Sequence, residues 1–296
     1  MTAEIAGGTG AVAVISSHVA RGAVGNRAAV FALETLGFPV IAVPTVLLPW
    51  HPGHGAATRI VHDDAVFGRF MADLTGGPFA GEIGAVLSGY LGSARQAEIV
   101  AEAVQTLRAA NPALLFVCDP VIGDENGLYV PEAVARAIGD RLVPIADIAT
   151  PNRFELAWLT GRAIATNAQI VDAARALGPT QVLVTSAHAE AAGHMSNLLV
   201  ARSGVIEASH AAIDTVPNGT GDLTAALFLA RRLAGYRDPE ALRLATASVH
   251  DLLLRTALRG ADELTLAADA AVIATPSAQV AVRSMPDGQR EAAGSR

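Results

Sequence analysis

Lysine is absent from this 296-residue chain. Every one of its 21 basic side chains is therefore arginine, and a cationic contact to a ligand must come from arginine, histidine or the backbone. Cysteine is almost absent too. The lone Cys118 excludes an internal disulfide framework and fits a reducing cytoplasm, where the protein is expected to reside. No apolar run approaches the roughly 20 residues of a membrane span, and the first ten residues lack the charged-then-apolar order of a signal peptide. No Lys/Arg cluster interrupts a net charge of -7, which argues against a nucleic-acid partner, because a phosphate backbone needs a basic face. Aromatic residues make up only 4% against 51% hydrophobic overall, so the core must be aliphatic. A chain of this length can bury one large core of that kind.

What is present is an alternation. Val12–Ile15 is a β-branched run, and Asn26–Leu36 is an amphipathic stretch that stops at Gly37. Further strands are predicted at Val40–Val43, Ala85–Leu87, Leu114–Cys118, Asp147–Ala149, Gln181–Val184, Leu198–Ala201 and Val205–Glu207. Helical patterns fall between them at Asp64–Leu74, Ala94–Ala110, Pro131–Ile138, Arg153–Leu159 and Ala168–Leu177, and later at Asp222–Leu233, Pro239–Leu254 and Glu263–Ile273. Strands alternating with helices predict an α/β fold with a mostly parallel sheet covered on both faces. Ser203-Gly204 reads as the turn of an edge hairpin. One domain over 1–275 and a loose, Pro- and Gly-punctuated tail over 276–296 are expected.

In such sheets ligands sit beyond the carboxyl ends of the strands. The segment Val216-Pro217-Asn218-Gly219-Thr220-Gly221-Asp222 carries the strongest signal, since two glycines bracket a threonine at the start of a helix. The free amides and dipole of a helix N-terminus favour an anion, and glycine lets the backbone approach it. Asp222 beside such a site can take a proton from an alcohol attacking a phosphate. A plain helix cap explains the same four letters.

Asp119 follows four apolar residues and precedes Pro120, which makes it a strand-end cap or a ligand-facing acid. Asn152 and Glu155 stand three apart at a helix start, which fits a capping box and equally fits two groups aimed at the strand ends. Mg²⁺ bound to phosphates is usually held by one or two carboxylates, often through water.

The runs Ser17-His18-Val19, Gly22, Gly25-Asn26 and Ala28-Ala29-Val30-Phe31 resemble the first strand–helix unit of the pyridoxal kinases of the ribokinase superfamily. The blocks Ser88-Gly89-Tyr90-Leu91-Gly92, Cys118-Asp119-Pro120-Val121-Ile122-Gly123-Asp124, Leu128-Tyr129-Val130-Pro131, Thr150-Pro151-Asn152 with Phe154-Glu155-Leu156, and Gly219-Thr220-Gly221-Asp222 extend the resemblance over about residues 11 to 275. It implies a three-layer α/β/α sandwich, ATP as phosphoryl donor, Mg²⁺ as cofactor with scope for a monovalent cation, and a homodimer. The implied reaction is phosphorylation of the 5′-hydroxyl of pyridoxal. A hydroxymethylpyrimidine kinase, or a binding protein without turnover, is the alternative.

The resemblance also implies roles. Asp222 is the base, with the amides of Gly219, Thr220 and Gly221 as anion hole. Ser17 and Tyr90 contact the substrate. Asp119 and Glu155 stand at the phosphates and metal, Thr150, Asn152 and Thr185 at ATP, and Asp124 to Tyr129 form a loop covering it. The chain departs from the family at Pro52-Gly53, where a polar pair such as Thr-Gln is common, and at Arg21 and Ala23, which replace an aromatic residue and a histidine. The pyridoxal side is therefore expected to be held by shape and by Trp50, His51 and His54. Gly7-Gly8-Thr9-Gly10 precedes the first strand and reads as a flexible terminus. His51 and His54 lack close acidic partners in sequence and read as loop residues, while Cys118, Phe154 and Trp158 read as core.

Overall fold

The computed structural model describes residues 10–213 and 216–285. Its central sheet contains six parallel strands: β1 (Ala11–Val19), β2 (Val40–Leu48), β4 (Ile83–Ser88), β5 (Leu115–Cys118), β8 (Ile148–Ala149) and β9 (Gln181–His188). Antiparallel strands extend both edges. At one, β3 (Ile60–Val61) pairs with β2; at the other, β10 (His194–Ala201), β11 (Gly204–Ala211) and β12 (Ala281–Met285) follow β9. The order is β12-β11-β10-β9-β8-β5-β4-β1-β2-β3, with a separate hairpin of β6 (Gly123–Asp124) and β7 (Gly127–Leu128).

The period of two along each buried strand produces the layers. Val12 and Val14 of β1 face a cluster with α1 (Asn26–Thr35), α7 (Thr220–Leu233) and α8 (Asp238–Leu258). Ala13 and Ile15 face the opposite cluster, with α2 (Asp64–Gly76), α3 (Ala94–Ala110) and α4 (Glu132–Ala137). A third cluster packs α5 (Arg153–Thr160) and α6 (Asn167–Leu177) on β9 to β11. This is the predicted three-layer α/β/α arrangement, and the hairpin expected at Ser203-Gly204 joins β10 to β11 with Gly204 at φ 137°.

Two expectations at the C-terminal end fail. The helix predicted over Glu263–Ile273 is reduced to α9 (Ala271–Ala274), because the polar side chains there bind elsewhere. Asp269 takes both arms of Arg259 at 2.9 and 3.0 Å and the Thr265 hydroxyl at 2.6 Å, while the Thr265 amide donates to the Thr256 hydroxyl at 3.2 Å. The loose tail expected from 276 is ordered as far as 285. Asp251 accepts the amides of Ser277 and Ala278 at 2.5 and 3.0 Å, and Arg283 of β12 pairs with Glu207 and with Glu190. The rest of that tail, 286–296, lies outside the described residues, as do Gly7, Gly8 and Thr9. Gly10 is packed, since a Cβ there would fall 2.3 Å from the Glu82 carbonyl oxygen.

Candidate active site

The turn before α7 is built for close backbone approach. Gly219, its N-cap, has φ 92°, and a Cβ at that position would lie 2.1 Å from the carbonyl oxygen of Ala23. Only glycine satisfies both conditions. Gly221 differs, since nothing lies within 4 Å of where its Cβ would point. The amides of Thr220 and Gly221 open the helix, where no intrahelical acceptor exists for them.

Asp222, in the first turn of α7, faces the start of α1. The Gly25 amide and its own amide favour its ionised form, but burial outweighs them and pushes the carboxyl up to about 6. Gly25 has φ 55°, and a Cβ there would meet the Ser17 carbonyl at 2.3 Å and its hydroxyl at 2.6 Å. Ser17, Gly25 and Asp222 are thus stacked in one corner. Gly89 closes it from β4: its Cβ position is 3.7 Å from the Asp222 carboxylate and 2.6 Å from the Ser16 hydroxyl. That hydroxyl accepts the Tyr90 amide at 3.1 Å, which brings the Tyr90 backbone into the same corner as Asp222.

Two further acids converge on Asp222, and both are more than nine-tenths buried. Burial first, then the charges of Glu155 and Asp222, raise Asp119 well above the usual carboxylate range, against the Thr150 hydroxyl that donates to it at 2.8 Å. Burial pushes Glu155 to about 7, with Asp222 adding to the rise. Glu155 completes the predicted capping box: its Oε2 accepts the Asn152 amide at 2.9 Å while Asn152 Oδ1 accepts the Glu155 amide at 2.9 Å. Its Oε1 reaches further and accepts the Ile122 amide at 2.8 Å. The two readings of this pair are therefore not exclusive, since Glu155 caps α5 and also belongs to the acid cluster.

The remaining sequence-predicted residues line the adjoining strand ends. Asn152 bridges to Thr185, whose amide donates to the Pro151 carbonyl at 3.0 Å, and Asn152 Nδ2 donates to the Gly123 carbonyl at 2.9 Å. Asp124 sits on the β6–β7 hairpin and is bound by the Tyr129 hydroxyl and the Asn126 amide. Glu125 at the hairpin tip pairs with Arg153 of α5. Cys118 is fully buried, and its thiol is pushed up to about 12 by that burial, in keeping with a core role.

The loop after β2 departs from expectation. His54 is hydrogen-bonded to Glu263 at 2.8 Å, Arg21 grips Asp262 at 2.8 and 3.0 Å, and Glu263 also accepts the Ala23 amide at 3.1 Å. His51 Nδ1 accepts the Gly53 amide at 3.1 Å, and the Cβ position of Gly53 lies 3.3 Å from Asn218 of the glycine-rich turn. The loop thus lies against the glycine-rich turn, clasped by residues over 200 positions later in sequence. Glu263, Asp262 and Asn218 join the β2–β3 loop to the rest of the site region without a signal of their own in the sequence. For Glu263 and Asp262 no local pattern could have found them; Asn218 lay within the glycine-rich signal without a role.

Among the described residues no group of three or more His, Cys, Asp or Glu side chains forms a protein cage for a metal. The buried carboxylates of Asp119 and Glu155 near the start of α7 fit a Mg²⁺ held by one or two carboxylates and phosphates.

A family model for phosphomethylpyrimidine kinase matches residues 79–264, a span that holds Tyr90, Asp119, Asn152, Glu155 and the glycine-rich turn. The structure of pyridoxal kinase from Leishmania donovani in complex with ADP and pyridoxine superposes with TM-score 0.86 at 30% identity, covering 93% of this chain and 99% of that one. Fold and site define a kinase of the ribokinase-like α/β class. The pyridoxal kinases PdxY of Rubrobacter xylanophilus and Granulibacter bethesdensis are each 40% identical to this chain, over 276 and 273 residues, spanning 91% and 89% of it and 95% and 96% of the relatives. The chain belongs to the pyridoxal kinase family.

Proposed function

We propose that the protein transfers the γ-phosphoryl group of ATP to the 5′-hydroxyl of pyridoxal, forming pyridoxal 5′-phosphate and ADP. The observation that carries this reading is the convergence of Asp222, the Gly219–Gly221 turn and the Asp119–Glu155 pair at one end of the sheet. Asp222 accepts the hydroxyl proton as the substrate oxygen bonds to the γ-phosphorus and the bond to the β-bridging oxygen breaks. With its carboxyl at about 6, Asp222 is largely ionised at neutral pH yet basic enough to take that proton. The amides of Gly219, Thr220 and Gly221 stabilise the charge on the transferring group.

Ser17 and Tyr90 hold the ring. Thr150, Asn152 and Thr185 hold the nucleotide, and the hairpin from Asp124 covers it. Asp119, one of whose oxygens accepts the Thr150 hydroxyl, and Glu155, whose oxygens both accept amides, are the residues that would hold Mg²⁺. Bound there, the metal would supply charge neutralisation at the phosphates. The protein acts in the cytoplasm as a homodimer.

The match to the phosphomethylpyrimidine kinase family model keeps a second alcohol in view, hydroxymethylpyrimidine. A coupled ADP-release assay across pyridoxal, pyridoxine, pyridoxamine and hydroxymethylpyrimidine decides between them. Higher kcat/KM for the pyrimidine would overturn the pyridoxal reading, and no ADP release with any of the four would point to binding without turnover.

A further inference from the structure

Three side chains of the loop between β2 and β3 are held by bonds within it or to Glu263. Trp50 Nε1 donates to the Gly55 carbonyl at 3.1 Å, His51 Nδ1 accepts the Gly53 amide, and His54 is held by Glu263. Pro52 and Gly53 offer no side-chain donor. His51 is also held towards its neutral form, by burial first and by His54 in addition, against the charge of Glu263. Arg59, the last residue before β3, is the exception. Its guanidinium has no carboxylate within ion-pair distance among the described residues; it donates to the Tyr90 hydroxyl at 3.4 Å and lies 5.9 Å from the centre of the Tyr90 ring. Tyr90 follows Gly89, whose Cβ position is 3.7 Å from the Asp222 carboxylate. A permanent, uncompensated cation therefore stands over the aromatic wall of the pocket, on the side where the loop offers little else.

Resting on the pyridoxal kinase reading, we propose that Arg59 selects the substrate by pairing with the ionised 3-hydroxyl of a 3-hydroxypyridine, and so discriminates against an aminopyrimidine alcohol. A 3-hydroxypyridine exists in water near neutral pH largely as a zwitterion, with its negative charge on the phenolic oxygen. A guanidinium fork resting on Tyr90 matches that oxygen in charge and geometry. An aminopyrimidine alcohol presents no such anion. Its amino group offers N–H to a guanidinium that is itself only a donor, leaving both unpaired.

The test compares the full-length protein with R59Q and R59K. With saturating ATP, R59Q is expected to raise KM for pyridoxal and pyridoxine about tenfold to a hundredfold, the change falling in KM, while KM for hydroxymethylpyrimidine stays the same or drops. R59K keeps the charge without the fork and is expected to fall between. Titration of pyridoxine without ATP gives an independent readout, because the ionised 3-hydroxypyridine has its own ultraviolet band. The parent is expected to bind pyridoxine with that band retained, and R59Q to bind it more weakly with the band shifted towards the neutral form. Equal KM changes for all three alcohols, or an unchanged Kd and spectrum in R59Q, would overturn the role of Arg59 while leaving the kinase reading intact. A parent that neither binds nor phosphorylates pyridoxine but accepts hydroxymethylpyrimidine would overturn both.

Discussion

Glu155 Oε1 accepts the backbone amide of Ile122 at 2.8 Å, joining the start of α5 to the segment that leads into the β6–β7 hairpin. One carboxylate thus caps a helix, anchors the segment leading into the β6–β7 hairpin and contributes to a buried acid cluster. Glutamine cannot serve all three, since its amide nitrogen would face either the Asn152 or the Ile122 amide as donor against donor. Glu155→Gln is therefore expected to lose about 1–2 kcal/mol of stability and also to raise the Mg²⁺ concentration needed for half-maximal rate. Thermal melts and a Mg²⁺ titration of activity check the two effects separately. An unchanged titration in a destabilised variant would reduce Glu155 to its capping role.

Asp222→Asn keeps the shape of the proposed base and removes its proton affinity. It is expected to lower kcat by roughly 10² to 10⁴-fold with little effect on nucleotide binding. Single-turnover rates and an ADP titration measure the two. Turnover within a few-fold of the parent would leave Asp222 as a helix-start residue only.

The two glycines of the turn separate by substitution. Gly219→Ala places a methyl 2.1 Å from the Ala23 carbonyl in a left-handed conformation, so it must move the turn, and kcat is expected to fall at least about 10²-fold. Gly221→Ala meets nothing within 4 Å in the protein and is expected to fold with an unchanged melting temperature. If phosphate occupies that space, the same variant raises KM for ATP; an unchanged KM would place the phosphates elsewhere.

The acid cluster makes a signed pH prediction. Glu155 rises from 4.5 to about 7 and Asp222 from 3.8 to about 6 in the folded chain, so folding favours their protonated forms. That contribution is complete below the unfolded values and is lost as pH rises through about 6 to 7. The ligand-free protein is thus expected to lose melting temperature across this window, and Asp119→Asn, which removes one of the three charges, to flatten the loss. Carboxylates held low, such as Asp269 at about 2, act in a more acidic window, whereas His18, His51 and His210, lowered first by burial, oppose this slope. Melts of the parent and of Asp119→Asn from about pH 5 to pH 8 in chelator check it; identical slopes in the two would mean the acids are not desolvated as a group.

Restoring a polar pair by Pro52→Thr with Gly53→Gln would seem the direct way to tighten pyridoxal. The geometry argues otherwise. A side chain at 53 would start 2.9 Å from the His51 ring and 3.3 Å from Asn218, so His51 must swing away and its bond to the Gly53 amide is lost. The double variant is expected to raise KM for pyridoxal several-fold, and a lower KM would show that the loop can take the other path.

Local sequence sufficed wherever one element carries its own pattern. The alternating faces of Val12 to Ile15, the Asn152 and Glu155 cap and the glycines before α7 are each read within a few residues, because period, capping and φ > 0 are short-range requirements. The family resemblance then assigned Asp119, Asp222 and Glu155 to one site. Only the folded chain decided what the lone letters between elements do. Glu263 reads as a helix start and becomes a clasp for His54 and Ala23, Asp269 leaves its helix for Arg259, and Val280 and Val282 of the supposed tail pack on the core. Arg59, unremarkable in the sequence, stands over Tyr90. These outcomes depend on partners 10 to 240 residues away, and a charge finds such a partner only after the sheet has set the distances.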